Sequence, residues 1–181
     1  MKKFCRLLIL LLVVLGLFGW VPGAQAQTGT IVRVDPAFTA VHPNESFSVD
    51  VIVENVEDLW AFDVTVTYDP DYLSVSSVEW GDFLTAGLTI PGILIDESYP
   101  GTVQCGMSQQ TPALAQTSTG VLFTINFSAK EFDAGTTIML ATAELVDGKN
   151  YQLITNSLQN GIVQIGQGKT EFMNYLPLVI R

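Results

Sequence analysis

Histidine is almost missing from this 181-residue chain, which contains only His42. A metal centre or acid–base site built from several imidazoles is therefore excluded. Cysteine is scarce as well. Cys5 lies in an N-terminal segment expected to be removed, which leaves Cys105 alone and no internal disulfide to form. Basic residues are few: 8 Lys and Arg stand against 18 Asp and Glu, a formal charge of −10. Three of those bases, Lys2, Lys3 and Arg6, fall in the same N-terminal segment, so the remainder is more acidic still. Such a surface repels phosphate backbones, which sets aside nucleic acid and anionic membranes as partners. Basic proteins and neutral sugars remain open. After Gln27 no stretch of helical length has apolar residues every three to four positions.

What is present begins with an export pattern. Met1 to Arg6 is basic, Leu7 to Phe18 is nearly all apolar, and Ala24-Gln25-Ala26 offers small residues at a cleavage site. The apolar run is shorter than the roughly 20 residues of a spanning helix. Residues 1–26 are therefore expected to be a signal peptide, and the mature chain to be secreted, extracellular or at the cell surface, without a membrane span. Without disulfides, its stability must come from packing. A domain of this size buries about 70% of its unfolded surface, enough to fold unaided.

Period two dominates the rest. Phe47, Val49, Val51 and Val53 alternate with Ser46, Ser48 and Asp50; Val121, Phe123, Ile125 and Phe127 alternate around Thr124 and Asn126. Alternation rich in β-branched and aromatic residues marks strands with one buried face. Further strands are predicted over Ile31–Val34, Trp60–Tyr68, Leu73–Trp80, Thr102–Ser108, Thr137–Leu145 and Gly161–Ile165. Turn chemistry separates them at His42-Pro43-Asn44, Asp69-Pro70-Asp71, Tyr99-Pro100-Gly101, Ala134-Gly135 and Asp147-Gly148-Lys149-Asn150. Eight or nine short strands at this spacing predict an all-β fold, an antiparallel β-sandwich or jelly roll, over residues 27–165. Gly166-Gln167-Gly168 opens a linker, and residues 166–181 form a tail. Its Tyr175-Leu176-Pro177-Leu178 resembles short tails that close exported proteins as a sorting signal; a final edge strand accounts for it equally well.

Catalysis finds little support. The carboxylate pairs Asp69/Asp71, Asp96/Glu97 and Glu57/Asp58 fall in predicted turns rather than across a cleft. His42 beside Pro43 reads as a turn residue, and Cys105, in a strand, as a small buried hydrophobe rather than a nucleophile. Asp69, Asp71 and Asp82 could offer oxygens to calcium, but no Asp-x-Asp-x-Asp-Gly loop is present, so no metal site is expected. The strand Trp60–Tyr68 is more informative. Trp60, Phe62, Val64, Val66 and Tyr68 are expected to form the core, with Ala61, Asp63, Thr65 and Thr67 on an open, polar face. Aspartate is unfavourable in a strand, so Asp63 asks for a reason. A second possibility is a sugar platform, for which Trp80, whose side is ambiguous, is the candidate.

The run from Val56 to Val75, with Ala60s-type spacing Trp60-Ala61-Phe62-Asp63-Val64-Thr65-Val66-Thr67-Tyr68-Asp69-Pro70 and then Leu73-Ser74-Val75, resembles the cohesin family. Pro43-Asn44-Glu45-Ser46-Phe47-Ser48-Val49 before it, Val78-Glu79-Trp80-Gly81-Asp82-Phe83-Leu84 after it, Gly120 to Phe127, and Asn160 to Ile165 are similar to the family's other blocks, in order. The resemblance implies a nine-stranded jelly-roll module that is non-catalytic and binds dockerins, small calcium-binding domains carried by other proteins, often polysaccharide-degrading enzymes. It carries Asp63 over as an acceptor on the partner face, with Ala61, where cohesins often have a polar residue, and Thr65 beside it. Tyr99 falls where some cohesins place a contacting tyrosine, although turn packing explains it as well, and Gln109 falls near a further contact region. Calcium, where it takes part, is expected on the dockerin. Cohesins share their architecture with cellulose-binding modules, so direct binding of polysaccharide remains the alternative.

Overall fold

A computed structural model describes residues 29–84, 89–95, 99–131 and 133–166. The expected signal peptide, the tail beyond Gly166 and the pair Asp96/Glu97 lie outside the described residues. The described residues form no helix. They form ten strands: β1 (Thr30–Asp35), β2 (Phe38–Val41), β3 (Ser46–Thr67), β4 (Leu73–Trp80), β5 (Thr89–Ile95), β6 (Thr102–Gln109), β7 (Gln116–Ala129), β8 (Ala134–Asp147), β9 (Asn156–Gln159) and β10 (Gly161–Ile165). Two predicted strands are one continuous β3, and β2, β5 and β9 have no clear alternation to announce them. The expectation of nine strands, all antiparallel, is therefore corrected: β1 with β9 and β10 with β2 run parallel.

Pairing divides the strands between two sheets that share β3. The first half of β3 lies between β1 and β7, giving sheet I in the order β9-β1-β3-β7-β4. The second half lies between β6 and β8, giving sheet II in the order β5-β6-β3-β8-β10-β2. The inner faces meet in one core. Phe123, Phe127, Leu59, Ile125 and Leu145 are fully buried there. Phe127 stacks on Phe47 at 5.5 Å and meets Tyr68 edge-on at 5.3 Å, while Phe62 stacks on Phe123 at 6.2 Å. Such ring pairs add about 0.5–1.5 kcal/mol each beyond their buried area.

The handover between sheets occurs within β3. Val53, Val56 and Leu59, three residues apart, all point inward, whereas a regular strand would alternate. Opposite them on β7 stand Gly120, Ser118 and Gln116, two apart. Each step thus holds one extra residue in β3, a β-bulge, and bulges bend and twist a strand. Asn55 and Asp58 take up the excess with φ of 53° and 54°. Asparagine and aspartate tolerate this left-handed region better than other side-chain-bearing residues. Their amides, displaced from the ladder, donate to Thr119 Oγ1 at 3.1 Å and Thr117 Oγ1 at 2.8 Å.

A third irregularity, between Leu59 and Ala61, leaves Trp60 without a partner on β8. The expectation that Trp60 lies in the core with Phe62, Val64 and Val66 is thus corrected. Trp60 is half-buried and its ring meets Tyr151 edge-on at 6.3 Å, beside the turn after β8. From Ala61 onward alternation is regular, and Phe62, Val64 and Val66 are buried as expected.

Because a β-branched side chain in the left-handed region costs about 1–2 kcal/mol, Asn55→Val is expected to lower the unfolding free energy by about that amount. Asn55→Gly, free of a Cβ, should stay within about 0.5 kcal/mol of wild type. Urea unfolding followed by tryptophan fluorescence checks both.

Candidate functional site

The two outer faces differ in kind. On sheet I the outward side chains bond to one another across the strands: Ser46 with Ser128, Ser48 to Asn126, Thr124 to Asp50, and Asn126 to both Ser77 and Glu79. That surface is knitted together. On sheet II the outward residues of β3 are Ala61, Asp63, Thr65 and Thr67, flanked on β6 by Ser108, Gly106, Gln104 and Thr102. These are mostly short side chains, so the face is low and open. Asp63 stands at its centre, opposite Gly106 on one side and Glu144 of β8 on the other.

Gly106 explains how the carboxylate sits. A Cβ there would lie 3.4 Å from Asp63 Oδ2, so the bare backbone leaves the space over which the carboxylate lies. Gln104 Nε2 donates to Asp63 Oδ1 at 2.8 Å and to Oδ2 at 2.9 Å, fixing the group in one orientation. Asp63 is half-buried and keeps accepting capacity, since a carboxylate has about four lone-pair sites. Beneath it, the Cys105 thiol is pushed up to about 12, first by burial and second by the Asp63 charge. It is therefore a neutral core residue, not a nucleophile. Among the described residues no group of three or more His, Cys, Asp or Glu side chains could hold a metal ion. Asp69 instead closes its own turn, accepting from the Asp71 amide at 2.9 Å.

The structure brings Asp63, Ala61 and Thr65 together on this face. It does not bring Gln109 there. β6 continues through Gln109, which pairs with Thr89 of β5 and shares the inward phase of Val103, Cys105 and Met107. Its side chain is 3% exposed, with neither amide atom hydrogen-bonded. The suggested surface contact through Gln109 is thereby corrected: β5, which gave no signal in the sequence, extends the sheet over it. Tyr99 is 71% exposed in the turn before β6, beyond the Thr67–Thr102 end of the face rather than beside Asp63. Trp80 resolves inward. A bulge between Val75 and Ser77 inserts Ser76 and shifts the phase of β4, so Trp80 is half-buried and meets Phe62 edge-on at 6.4 Å. Glu144 was missed, because its place beside Asp63 depends on pairing across strands 81 positions apart in sequence.

At the end of the face the β8–β9 connection is held by Asp147. Its carboxylate accepts from the amides of Asn150 at 2.7 Å, Lys149 at 2.8 Å and Gln152 at 3.1 Å. These bonds, that from Asn150 foremost, hold its pKa below the usual carboxylate range.

The sequence matches the family model described as Cohesin domain over residues 25–165. The chain belongs to the cohesin family. Cohesin modules are non-catalytic. Similar solved structures include a non-cellulosomal cohesin from the archaeon Archaeoglobus fulgidus, at 17% identity and TM-score 0.62, covering 81% of this chain and 98% of that one. A type I cohesin–dockerin complex from Clostridium thermocellum matches at 18% identity and TM-score 0.65, covering 76% and 99%. The seventh ScaB type I cohesin of Pseudobacteroides cellulosolvens matches at 15% and 0.64, covering 84% and 97%. At these identities the likeness is one of fold. A search of curated proteins finds no match.

Two outcomes follow. Cys105 should resist thiol reagents at pH 8 in the folded cohesin and react fully in denaturant, read by absorbance of the released chromophore. A carboxylate with a lowered folded pKa stabilises above its unfolded value, near 3.9, and that contribution disappears as pH falls through the folded value. Asp147→Asn should therefore show a shallower loss of thermal stability on acidification below about pH 4 than wild type, measured by calorimetry.

Proposed function

We propose that this cohesin binds dockerin-bearing proteins through the outer face of sheet II, with Asp63 as the central hydrogen-bond acceptor and Ala61 and Thr65 beside it. The observation that carries this reading is the contrast between the faces. Sheet I's outer side chains satisfy one another, whereas sheet II offers a flat surface of short side chains around one fixed carboxylate. A docked partner loses little side-chain entropy against such a surface, and pre-organisation of the acceptor lowers the cost further. An interface of about 1,600 Å² is the usual size for a specific pair. The matched structure from Clostridium thermocellum is a cohesin with its dockerin, which supports the same partner class here.

The sandwich is read as jelly-roll in winding, and residues 1–26 as an export signal, which places the module outside the cell or on its surface. There it would link dockerin-bearing enzymes to extracellular polysaccharide degradation. The partner brings any calcium. Direct polysaccharide binding through Trp80 is the weaker reading, since that ring packs toward Phe62 and sugar stacking needs an open aromatic face. No helix among the described residues is long and apolar enough to cross a membrane.

Purified mature protein, titrated with a panel of recombinant calcium-loaded dockerins by calorimetry, is expected to bind at least one. Chelating calcium should abolish that binding, and Asp63→Ala should weaken it by at least about ten-fold while leaving the melting temperature of the cohesin within a few degrees. Retention on insoluble cellulose or chitin without any dockerin binding would overturn the proposal.

A further inference from the structure

The face around Asp63 does not end at β8. Residues 152–154 fold back along its free side: the Asp147 amide donates to the Gln152 carbonyl at 3.0 Å, the Ile154 amide to the Leu145 carbonyl at 2.7 Å, and Leu153 bridges Val146. Ile154 packs against the core, so Leu153, its neighbour in an extended segment, faces outward, and it is 66% exposed. Register then draws a row across five ribbons. Ile90 of β5 stands opposite Ser108 of β6, Ser108 opposite Ala61 of β3, Ala61 opposite Val146 of β8, and Val146 opposite Leu153. Ile90 is 56% exposed at the other end. Apart from Ser108 the row is apolar, and at about 4.8 Å per ribbon it is about 19 Å long.

Two residues along each strand, about 7 Å away, runs the row that holds Gly106, Asp63 and Glu144. Like charges directly opposite repel, and Gln104, being neutral, does not cancel them. The three basic side chains among the described residues are engaged elsewhere: Arg33 with Asp35 and Glu54, Lys149 with Asp58, and Lys130 with the Pro70 carbonyl. The face therefore presents an apolar row beside an uncompensated acidic one.

We infer that the recognition surface extends onto the 152–154 ribbon, and that the apolar row from Ile90 to Leu153 seats the apolar stripe of one amphipathic helix of the partner, with a basic residue of that helix over Asp63 and Glu144. A helix of about 13 residues matches the length of the row. Its i, i+3, i+4 and i+7 positions supply the stripe, and a neighbouring position supplies the cation. Leu153 and Ile90 are the end anchors. This rests on the dockerin reading above, but it commits to contacts which that reading does not need. The turn clasped by Asp147 positions Leu153, so the anchor is held in place before the partner arrives.

The test uses the dockerin bound by the wild-type mature protein. Leu153→Ser and Ile90→Ser, both at exposed positions, should leave the melting temperature unchanged and each weaken binding about ten-fold. The fall in affinity between 50 and 500 mM NaCl should be smaller for the Asp63→Asn/Glu144→Gln double variant than for wild type, since its charge is gone. If Asp63→Ala weakens binding while Leu153→Ser and Ile90→Ser bind as wild type, the apolar row is overturned and the dockerin reading stands. If binding is insensitive to salt in both proteins, the basic contact is overturned. If no dockerin binds, both readings fall.

Discussion

The double bulge in β3 is the constraint on which the rest depends. A sandwich needs its two inner faces to meet, and a chain that serves both sheets must bend without exposing its apolar side. A regular strand cannot do this, since its side chains alternate at every residue. β3 replaces the two-residue repeat by a three-residue one for two steps. Val53, Val56 and Leu59 stay inward while the backbone turns from sheet I to sheet II. The step costs two left-handed residues and two amides removed from the ladder; Asn55 and Asp58 reduce the first cost, and the hydroxyls of Thr117 and Thr119 meet the second. The second bulge is also tied to the far corner, because the Asp58 carbonyl accepts from the Gly148 amide and its carboxylate pairs with Lys149.

That bend sets the phase of everything after it. Had β3 kept period two from Val53, Leu59 would point inward but Val56 would not. The strand would then reach Ala61 with no irregularity left to adjust its phase or to carry Trp60 aside. The phase of Asp63, and hence its outward place, follows from the local sequence; its neighbours follow from the sheet. Gly106 and Gln104 come from β6, Glu144 from β8, and each reaches Asp63 only because β3 is central in sheet II. The site is a property of three strands, and the bulge decides which three.

This division explains what was legible beforehand. Phe62, Val64 and Val66 inward, and Ala61, Asp63 and Thr65 outward, could be read from alternation alone, since the strand is regular there. Trp60 and Trp80 could not, because each follows an inserted residue or is one, and a bulge leaves no mark in hydropathy beyond a change of phase. Gln109 failed for another reason. Its strand was recognised, but the sheet edge beyond it was not: β5 carries Pro91 and Gly92, both weak strand residues, so nothing announced a neighbour on that side. The block succession from Pro43 to Ile165 identified the family despite these errors, because the order of strands survives local shifts of phase.

Charge distribution gives the face a direction as well as a shape. Acidic groups outnumber basic ones throughout the chain, but a net charge alone steers partners to no particular place. On sheet I, Asp50 accepts from Thr124 and Glu79 from Asn126, so those carboxylates are partly satisfied by the protein itself. At the corner Lys149 offsets Asp58, and backbone amides surround Asp147. Asp63 and Glu144 differ in being adjacent, on a flat face, with a neutral amide as the one side chain bonded to Asp63. Bringing a cation to them relieves a repulsion already present in the free protein, so the gain on binding exceeds that of one exposed ion pair. The neighbouring apolar residues exclude water from the same contact and lower the local dielectric, which strengthens the attraction further.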